Sequence, residues 1–381
     1  MSFSELGLSS SLVKAVAALK YKQPTPVQKA AIPQILKGAD VLGIAQTGSG
    51  KTAAYALPIL EKTQTNRAFR NRYVKVLVLV PTRELALQVG EVFLTFSAHL
   101  PISIKTLAVF GGVSINPQMK KLQGTDILVS TPGRLLDLVN SKAVYLSEVE
   151  TLVLDEADKM LSLGFEEELR QVMALLPKKR QNLLFSATLD NKVNAIQETL
   201  LRNPVTVEIK EEANPEPSLI SEKAYLVEAE NKGPFLRYLI KEHHLQQVLV
   251  FVSATQRADH LVTKLQNNGI KAVALHSGKS QGARTEALAL FKKGKVEVLV
   301  ATDLASRGID VQFLPYVINY DLPRSSKDYI HRIGRTGRAN STGEAITLVT
   351  PDDAHHFKII QKQTKRTIPS QGTNEIDLKG Y

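Results

Sequence analysis

The most restrictive feature of this chain is a series of short apolar runs, rich in Val, Leu and Ile, that recur along its 381 residues. Runs that are apolar on both faces are typical of buried parallel strands. Helix-compatible stretches, such as residues 83–93 and 254–266, lie between them, and this alternation favours open parallel sheets with helices on both faces. The predicted strands lie at residues 41–45, 76–80, 127–129, 152–154, 183–185, 248–252, 296–300 and 317–320.

One polar segment interrupts the alternation of strands and helices. Residues 210–218 have no apolar period and contain two prolines, which indicates a linker between two domains. A cleft between two α/β domains is a common place for a ligand. The predicted organisation is a first domain at residues 1–209, a linker at 210–219, a second domain at 220–365 and a polar tail at 366–381. Residues 362–381 are expected to be poorly ordered.

The composition excludes several classes of protein. The chain has no cysteine, which excludes disulfides, cysteine-ligated zinc and thiol nucleophiles. No run reaches the ~18 apolar residues that a membrane span needs, and the N-terminus lacks a secretory signal pattern, so we expect a cytoplasmic protein without a membrane partner. The 48 basic and 37 acidic side chains give a net charge of +11, which suits a polyanionic partner but does not identify one.

Residues 45–52 read Ala-Gln-Thr-Gly-Ser-Gly-Lys-Thr and lie between an apolar run and a helix-compatible stretch. This is the strand–loop–helix context that a phosphate-binding loop requires, although the first glycine of the general pattern is an alanine here. Gly48 and Gly50 allow backbone N–H groups to approach phosphate oxygens. Lys51 supplies a charge for the β- and γ-phosphates, and Thr52 supplies a hydroxyl for Mg²⁺.

Three acidic residues, Asp155, Glu156 and Asp158, follow another apolar run. Ligands of open parallel sheets bind at the carboxyl ends of strands. Asp155 can hold Mg²⁺ through its water shell, and Glu156 can orient or deprotonate an attacking water molecule. Acidic residues are also common at helix N-termini without a catalytic role, but an acid-ended strand is expected after a phosphate loop, which favours catalysis.

Residues 155–158 spell Asp-Glu-Ala-Asp, and the chain resembles the DEAD-box ATP-dependent RNA helicases from residue 3 to about residue 345. The resemblance implies two tandem RecA-like domains that close around ATP and single-stranded RNA. It implies RNA-stimulated ATP hydrolysis with Mg²⁺ and local unwinding of short RNA duplexes. The motifs that carry it occur in the family's order at residues 21–28, 45–52, 81–86, 111–112, 131–134, 155–158, 186–188, 301–310 and 331–338.

The resemblance assigns the nucleotide site to residues of both domains. It implies that Gln28 recognises adenine and that Tyr21 stacks on the base, although Tyr21 could instead pack the first helix. It places Arg335 and Arg338 at the γ-phosphate, where a planar guanidinium suits developing charge. The implied catalytic set is Lys51, Asp155, Glu156, Arg335 and Arg338. The implied nucleotide-binding set is Tyr21, Gln28, Gln46, Thr47, Gly48, Ser49, Gly50, Lys51, Thr52, Gly308 and Asp310.

The resemblance also implies an RNA path and a set of coupling residues. Loop-prone Gly, Thr and Arg residues contact phosphates and sugars rather than base edges, so we expect binding that is independent of sequence, with 2′-hydroxyl contacts selecting RNA. The glycines could instead be simple turns, and a lone histidine is often structural. The implied RNA-contacting residues are Arg83, Gly112, Thr131, Gly133, Arg134, Gln281, Arg284 and Thr302. The implied coupling residues are Asp158, Ser186, Thr188 and His331.

Two positions depart from the family pattern. Lys20 precedes Tyr21 where the family usually has glycine, and Gly278 follows His276 one place late. Because of the second departure, the family pattern does not predict the backbone conformation near Ser277.

Three functions are compatible with the motifs: an RNA-dependent ATPase that unwinds short duplexes, an ATP-gated RNA clamp with little unwinding, and a DNA translocase. Retention of Glu156, Arg335 and Arg338 favours ATP hydrolysis over a pure clamp, and the unwinding ATPase is the leading hypothesis. We expect ATP and Mg²⁺ as cofactors, single-stranded and short duplex RNA as partners, and a monomer whose protein partners the sequence does not identify.

Overall fold

The computed structural model describes residues 2–46, 48–65, 72–209, 220–303, 314–337 and 342–381. The chain divides into two compact units, Met1–Glu212 and Ala213–Tyr381. The predicted linker at 210–219 lies outside the described residues, so its boundaries stay a prediction. Among the described helices, none is long and apolar enough to cross a membrane.

The first unit contains a parallel sheet whose seven described strands have the order β3-β4-β2-β5-β6-β1-β7. These strands are β1 (Val41–Ile44), β2 (Val76–Leu79), β3 (Thr106–Val109), β4 (Ile127–Ser130), β5 (Thr151–Leu154), β6 (Gln181–Ser186) and β7 (Val205–Glu208). Its described helices are α1 (Ser10–Ala18), α2 (Pro26–Leu36), α3 (Lys51–Thr65), α4 (Arg83–Ser97), α5 (Asn116–Lys121), α6 (Pro132–Asn140), α7 (Ala157–Ser162), α8 (Glu166–Leu175) and α9 (Asn191–Leu200).

The second unit repeats this architecture, with seven described strands in the order β10-β11-β9-β12-β13-β8-β14. The strands are β8 (Ile220–Leu226), β9 (Val248–Val252), β10 (Ala272–Leu275), β11 (Val298–Thr302), β12 (Tyr316–Asn319), β13 (Gly343–Val349) and β14 (Ser370–Gly372). The described helices are α10 (Lys232–Glu242), α11 (Thr255–Asn267), α12 (Gln281–Lys292), α13 (Ser326–Ile333) and α14 (Ala354–Thr364).

Strand β2 shows why the central runs are apolar on both faces. Val76 and Val78 pack into one core cluster. Leu77 and Leu79, which point the other way, pack into a second cluster with Leu152 of the neighbouring β5. Helices therefore cover both faces of the sheet, and the predicted fold of two parallel sheets flanked by helices is confirmed.

Every strand predicted from an apolar run is present, but six further strands were not predicted. β3, β7, β10 and β14 lie at sheet edges, and their side chains are partly or fully exposed at several positions. An edge strand needs no continuous apolar run. In β8 and β13 charged or polar residues interrupt the apolar positions, so these strands have no clear signal either.

The expectation that residues 362–381 are poorly ordered is wrong for the part that forms β14. This strand pairs with β8, with Ser370 opposite Ala224. Ile368 is buried, and Ile376 and Leu378 pack against the core of the second unit. These apolar residues are widely spaced in a polar segment. Because the strand forms through backbone pairing, the polar composition of the segment does not predict it.

Gly43 provides a test of the packing between β1 and β6. It lies opposite Phe185, and a methyl group at residue 43 would overlap the Phe185 ring. We expect Gly43→Ala to lower the free energy of unfolding by ~1–3 kcal/mol, the usual cost of overpacking a filled core. Denaturant unfolding measures this change.

The matched control is Gly282→Ala in α12, where an added methyl group meets no atom within 4 Å. Equal losses of stability in the two variants would contradict the packing argument.

Candidate functional site

The predicted phosphate loop connects β1 to α3 at the carboxyl edge of the first sheet. Gly48 and Gly50 have φ angles of 86° and 93°, in the left-handed region that residues with a side chain rarely adopt. The Ser49 hydroxyl donates to the carbonyl oxygen of Gln46 at 2.8 Å and closes the turn. Thr47 lies outside the described residues. The two glycines are thus required by the backbone conformation of the loop itself.

Lys51, the first residue of α3, is buried, with 6% of its surface exposed. Its ammonium group donates to the carbonyl oxygen of Ala45 at 2.7 Å, so the side chain lies back along the loop. Its charge interacts with that of Asp155, and the next residue, Thr52, interacts with the hydroxyl group of Tyr55. The lysine and threonine of the loop therefore lie beside the acidic end of β5.

Asp155 directly follows β5 and is 2% exposed. One carboxylate oxygen accepts a hydrogen bond from the Tyr55 hydroxyl at 2.8 Å, and the other accepts from the backbone N–H of Glu156 at 2.9 Å. Burial raises the pKa of Asp155, while the charge of Lys51 and the hydrogen bond from Tyr55 lower it. Both oxygens are therefore held in a fixed orientation.

Tyr55 is a site residue that the sequence motifs do not indicate. Its ring is fully buried and contacts the rings of Phe93 and Phe185. Burial, and then the charge of Asp155, raises the pKa of Tyr55 well above its usual range, so the hydroxyl remains a hydrogen-bond donor. The sequence signal for Tyr55 is its spacing, because a residue four positions after Lys51 lies on the same face of the helix as Lys51.

Glu156 adopts a left-handed conformation, with φ 53° and ψ 48°, between β5 and α7. This conformation is uncommon and strained for a residue with a side chain. The carboxylate forms an ion pair with the ammonium group of Lys159 at 2.8 Å, and both side chains are largely buried. Lys159 is thus a second residue that the motifs do not indicate, and it holds the carboxylate that is predicted to act on water.

Three of the predicted coupling residues are in direct contact. The hydroxyl of Thr188 donates to the carboxylate of Asp158 at 3.2 Å, and the hydroxyl of Ser186 donates to the backbone carbonyl of Thr188 at 2.7 Å. These bonds connect the start of α7 to the segment that follows β6. The fourth, His331, is an exposed residue of α13 in the second unit.

The residues predicted to bind adenine lie in and before α2. Gln28 is 1% exposed, its amide N–H donates to the carbonyl of Gly50 at 3.1 Å, and its amide oxygen accepts from the backbone N–H of Thr25 at 3.0 Å. Gln28 therefore contacts the phosphate loop. The ring of Tyr21 packs on Phe96 with centroids 5.6 Å apart and is 43% exposed, so Tyr21 both packs on α4 and has surface free for a base.

Three of the predicted RNA-contacting residues of the first unit, Arg83, Gly112 and Arg134, meet at the segment after β3. Gly112 has a φ angle of 73°, and the guanidinium of Arg83 lies where a side chain at residue 112 would project. Arg134 of α6 is buried and donates to the carbonyl of Val113 at 2.9 Å. The remaining predicted residues lie at the start of α6, namely Thr131 and Gly133.

In the second unit, Gln281 and Arg284 lie in the first turns of α12, and Thr302 ends β11; all three are buried. His276, in the segment between β10 and α12, has its Nε2 3.0 Å from a carboxylate oxygen of Asp259. The late glycine that departs from the family pattern has no positive φ angle, so it is not required there for a left-handed turn.

Arg335 follows α13 and is 8% exposed, and its carbonyl oxygen accepts from the backbone N–H of Leu314 at 3.1 Å. The other predicted residues of the nucleotide site in this unit lie outside the described residues, namely Gly308, Asp310 and Arg338.

Comparison with known proteins agrees with this set of contacts. Residues 25–196 match the family described as DEAD/DEAH box helicase, and residues 231–340 match the helicase conserved C-terminal domain. The chain is 39% identical over 377 residues to the DEAD-box ATP-dependent RNA helicase CshA of Bacillus cereus, covering 98% of this chain and 70% of the relative. It belongs to the DEAD-box helicases.

Other relatives and solved structures fit this assignment. The ATP-dependent RNA helicase CshA of Listeria monocytogenes is 39% identical, with 96% of this chain and 69% of the relative covered. The structure of Saccharomyces cerevisiae Dbp5 bound to RNA and ADP BeF3 matches with a TM-score of 0.82 at 30% identity, covering 98% of this chain and 96% of that one. A DEAD-box protein of Methanococcus jannaschii matches with a TM-score of 0.54 at 34% identity, covering 97% and 99%.

Arg332 is a further residue of this helicase whose role the motifs leave open. It is 2% exposed and binds both carboxylate oxygens of Asp303, at 2.6 and 2.7 Å. It also donates to the side chain of Asn319 and to the carbonyl of Asp321, and its guanidinium lies 4.9 Å from the ring centroid of Phe251. Arg332 thus joins the end of β11 to the end of β12.

Tyr55→Phe tests the contact between α3 and β5. Removing the hydroxyl leaves a buried carboxylate oxygen of Asp155 without its donor, so we expect the free energy of unfolding to fall by ~1–3 kcal/mol. Loss of this hydrogen bond also raises the pKa of Asp155 further. If ATP hydrolysis needs the ionised carboxylate, acidification inactivates the variant at a higher pH than the parent. Denaturant unfolding and the pH profile of ATP hydrolysis measure the two effects.

Tyr145→Phe is the matched control, because the ring of Tyr145 is 39% exposed and stacks on Tyr73 away from Asp155. If the pH profile of ATP hydrolysis falls at the same acidic pH in Tyr55→Phe as in the parent, this hydroxyl does not set the ionisation of Asp155.

Proposed function

We propose that this DEAD-box helicase hydrolyses ATP when RNA is bound, closes its two domains on single-stranded RNA and locally unwinds short RNA duplexes. The observation that carries the proposal is the contact set at the phosphate loop, where Gln28, Lys51 and Asp155 of different elements meet. The relatives named as ATP-dependent RNA helicases support ATP and RNA as the ligands.

The residues at the loop fit a magnesium–nucleotide complex. Mg²⁺ prefers oxygen ligands, and Thr52 and the oriented carboxylate of Asp155 supply them, partly through water. When bound, the ion would neutralise charge on the β- and γ-phosphates. A nearby cation also favours the ionised form of Asp155, whose pKa is raised by burial. Lys51 would exchange the carbonyl of Ala45 for phosphate oxygens, because a phosphate is the stronger, charge-assisted acceptor.

Glu156 would orient the attacking water and accept its proton. The left-handed backbone and the ion pair with Lys159 hold the carboxylate in place, and such pre-organisation favours proton transfer in a fixed geometry. Arg335 and Arg338 would stabilise the charge that develops on the γ-phosphate. Because these arginines lie in the second unit, hydrolysis would depend on domain closure.

The RNA path would use the residues around Gly112 and Arg134 in the first unit and Gln281, Arg284 and Thr302 in the second. Their side chains suit phosphates and sugars, so we propose binding without sequence preference. The protein would act as a monomer in the cytoplasm.

The rate of ATP hydrolysis, measured without nucleic acid, with single-stranded RNA and with DNA of the same sequence, tests the function. We expect RNA, but not DNA, to stimulate ATP hydrolysis. Equal stimulation by DNA would contradict the assignment to RNA. A strand-displacement assay on short duplexes separates the helicase from an ATP-gated clamp, which would bind RNA and ATP together but release no strand.

Glu156→Gln tests the catalytic carboxylate. The substitution preserves shape and removes the group that orients water, so we expect turnover to fall ~10²–10⁴-fold, while ATP and RNA binding remain. Single-turnover hydrolysis and equilibrium binding distinguish these effects. Glu166→Gln is the control, because Glu166 forms an exposed ion pair with Lys192; a rate within a few-fold of the parent in both variants would make Glu156 structural.

Gln28→Ala tests adenine recognition separately from the support that this side chain gives to the loop. We expect loss of the contact with Gly50 to weaken ATP and GTP alike, and loss of base recognition to weaken ATP further. Affinities for ATP and GTP, measured in parent and variant, give the two contributions. An equal loss for both nucleotides would leave Gln28 as a support of the loop only.

A further inference from the structure

Helix α10 contains a buried arginine without an acidic partner. Arg237 is 9% exposed, and its Nε is inaccessible and makes no hydrogen bond. Within the described residues, no ion pair or hydrogen bond engages its guanidinium. Burial lowers the pKa of Arg237. The inaccessible Nε therefore lacks the acceptor that would offset its desolvation, and folding alone does not explain this side chain.

The guanidinium of Arg237 points to the first turn of its own helix. A Cβ atom placed on Gly233 would lie 3.5 Å from Nη1 of Arg237 and 3.9 Å from the hydroxyl of Tyr320. The two side chains therefore converge on a position that glycine leaves open. The N-cap residue, Asn231, makes no side-chain capping hydrogen bond, and the N-terminus of a helix carries partial positive charge.

The groups around this position carry an excess of positive charge. The ammonium group of Lys232 lies 5.0 Å from the ring centroid of Tyr320. The carboxylate of Asp321 is bound by Lys232 at 3.4 Å and by Arg257 at 2.6 Å, so it already faces two cations. Arg237 is a third cation of the cluster, and its Nη1 lies near Gly233 and the hydroxyl of Tyr320. The side chain of Arg257 is 54% exposed, which leaves this cluster open to solvent.

We propose that Lys232, Gly233, Arg237, Arg257 and Tyr320, here called the α10 pocket, bind a phosphate group. A guanidinium binds two phosphate oxygens at once, a phenolic hydroxyl donates to a third, and the helix terminus favours the negative charge. None of these residues belongs to the predicted RNA path.

The position of the α10 pocket indicates the source of the phosphate. Tyr320 follows β12 and Thr302 ends β11, and β9 lies between these two parallel strands. Both residues are therefore at the carboxyl edge of one sheet, about 10 Å apart for a spacing of two strands. An RNA backbone that passes Thr302 can continue to the pocket. In this respect the inference rests on the proposed RNA binding, whereas a free phosphate ion would need no RNA.

Arg237→Met and Gly233→Ala in the full chain test the pocket. Methionine removes the charge at similar volume, and alanine fills the open position at ordinary contact distance. Lys264→Met is the control, because it removes one charge from the exposed surface of α11. Affinity for single-stranded RNA is measured over a range of salt concentrations. We expect the slope of log K against log salt to fall by about 0.7 in Arg237→Met, the value for one phosphate contact on a single strand. We expect no change in the control.

A second experiment does not need RNA. It measures the midpoint of thermal unfolding in inorganic phosphate and in chloride at equal ionic strength. We expect phosphate to raise the midpoint of the parent and the control more than that of either pocket variant. In chloride, Arg237→Met should be at least as stable as the parent, because an unpaired buried charge is removed.

A change in this phosphate effect alone would assign the pocket to a free phosphate ion. If the parent bound no RNA, the proposed function would fail, but thermal unfolding in phosphate would still test whether the α10 pocket binds a phosphate group. An unchanged salt slope, an unchanged phosphate effect and a lower midpoint for Arg237→Met in chloride would together overturn the inference and make Arg237 structural.

Discussion

Two charged side chains, Lys51 and Asp155, are buried at the carboxyl edge of the first sheet, and the rest of the candidate ATP site is arranged around them. Removing ionised groups from water costs several kcal/mol unless other groups compensate. Here the compensation is local: the carbonyl of Ala45 accepts from Lys51, and Tyr55 donates to Asp155. The cost of these buried charges explains why a tyrosine, rather than a purely apolar residue, fills the core between α3 and β5.

The second unit shows two ways of burying an arginine. Arg332 is surrounded by acceptors from Asp303, Asn319 and Asp321, so its charge is fully compensated and it stabilises the sheet. Arg237 is 9% exposed, and its inaccessible Nε has no hydrogen-bond acceptor among the described residues. The two side chains have the same chemistry, so the difference between them lies in the groups that surround them. A missing acceptor is a cost that a ligand can remove, which is the physical basis for assigning Arg237 to binding.

The sequence predicted the central strands and the phosphate loop because both depend on local patterns. Strand β2 is apolar at every position because both of its faces are buried, and Gly48 and Gly50 are required by backbone conformation. Edge strands such as β14 were missed because backbone pairing, rather than side-chain pattern, forms them. Tyr55 and Lys159 were missed because their roles arise from contacts with Asp155 and Glu156, and Arg237 because an absent partner leaves no trace in a sequence.

Gln28 shows how structure refines a role that a resemblance implies. A side-chain amide has two N–H donors and two acceptor lone pairs. In this helicase one donor is used on Gly50 and one lone pair on the backbone of Thr25, and the remaining donor and acceptor are buried because the side chain is 1% exposed. Adenine presents an acceptor and a donor on one edge, which is the matching pair. The bonds that fix the amide to the loop also set the direction in which its free groups point. Recognition of the base would therefore depend on the conformation of the phosphate loop, and a nucleotide that reshapes the loop would alter the contact with its own base.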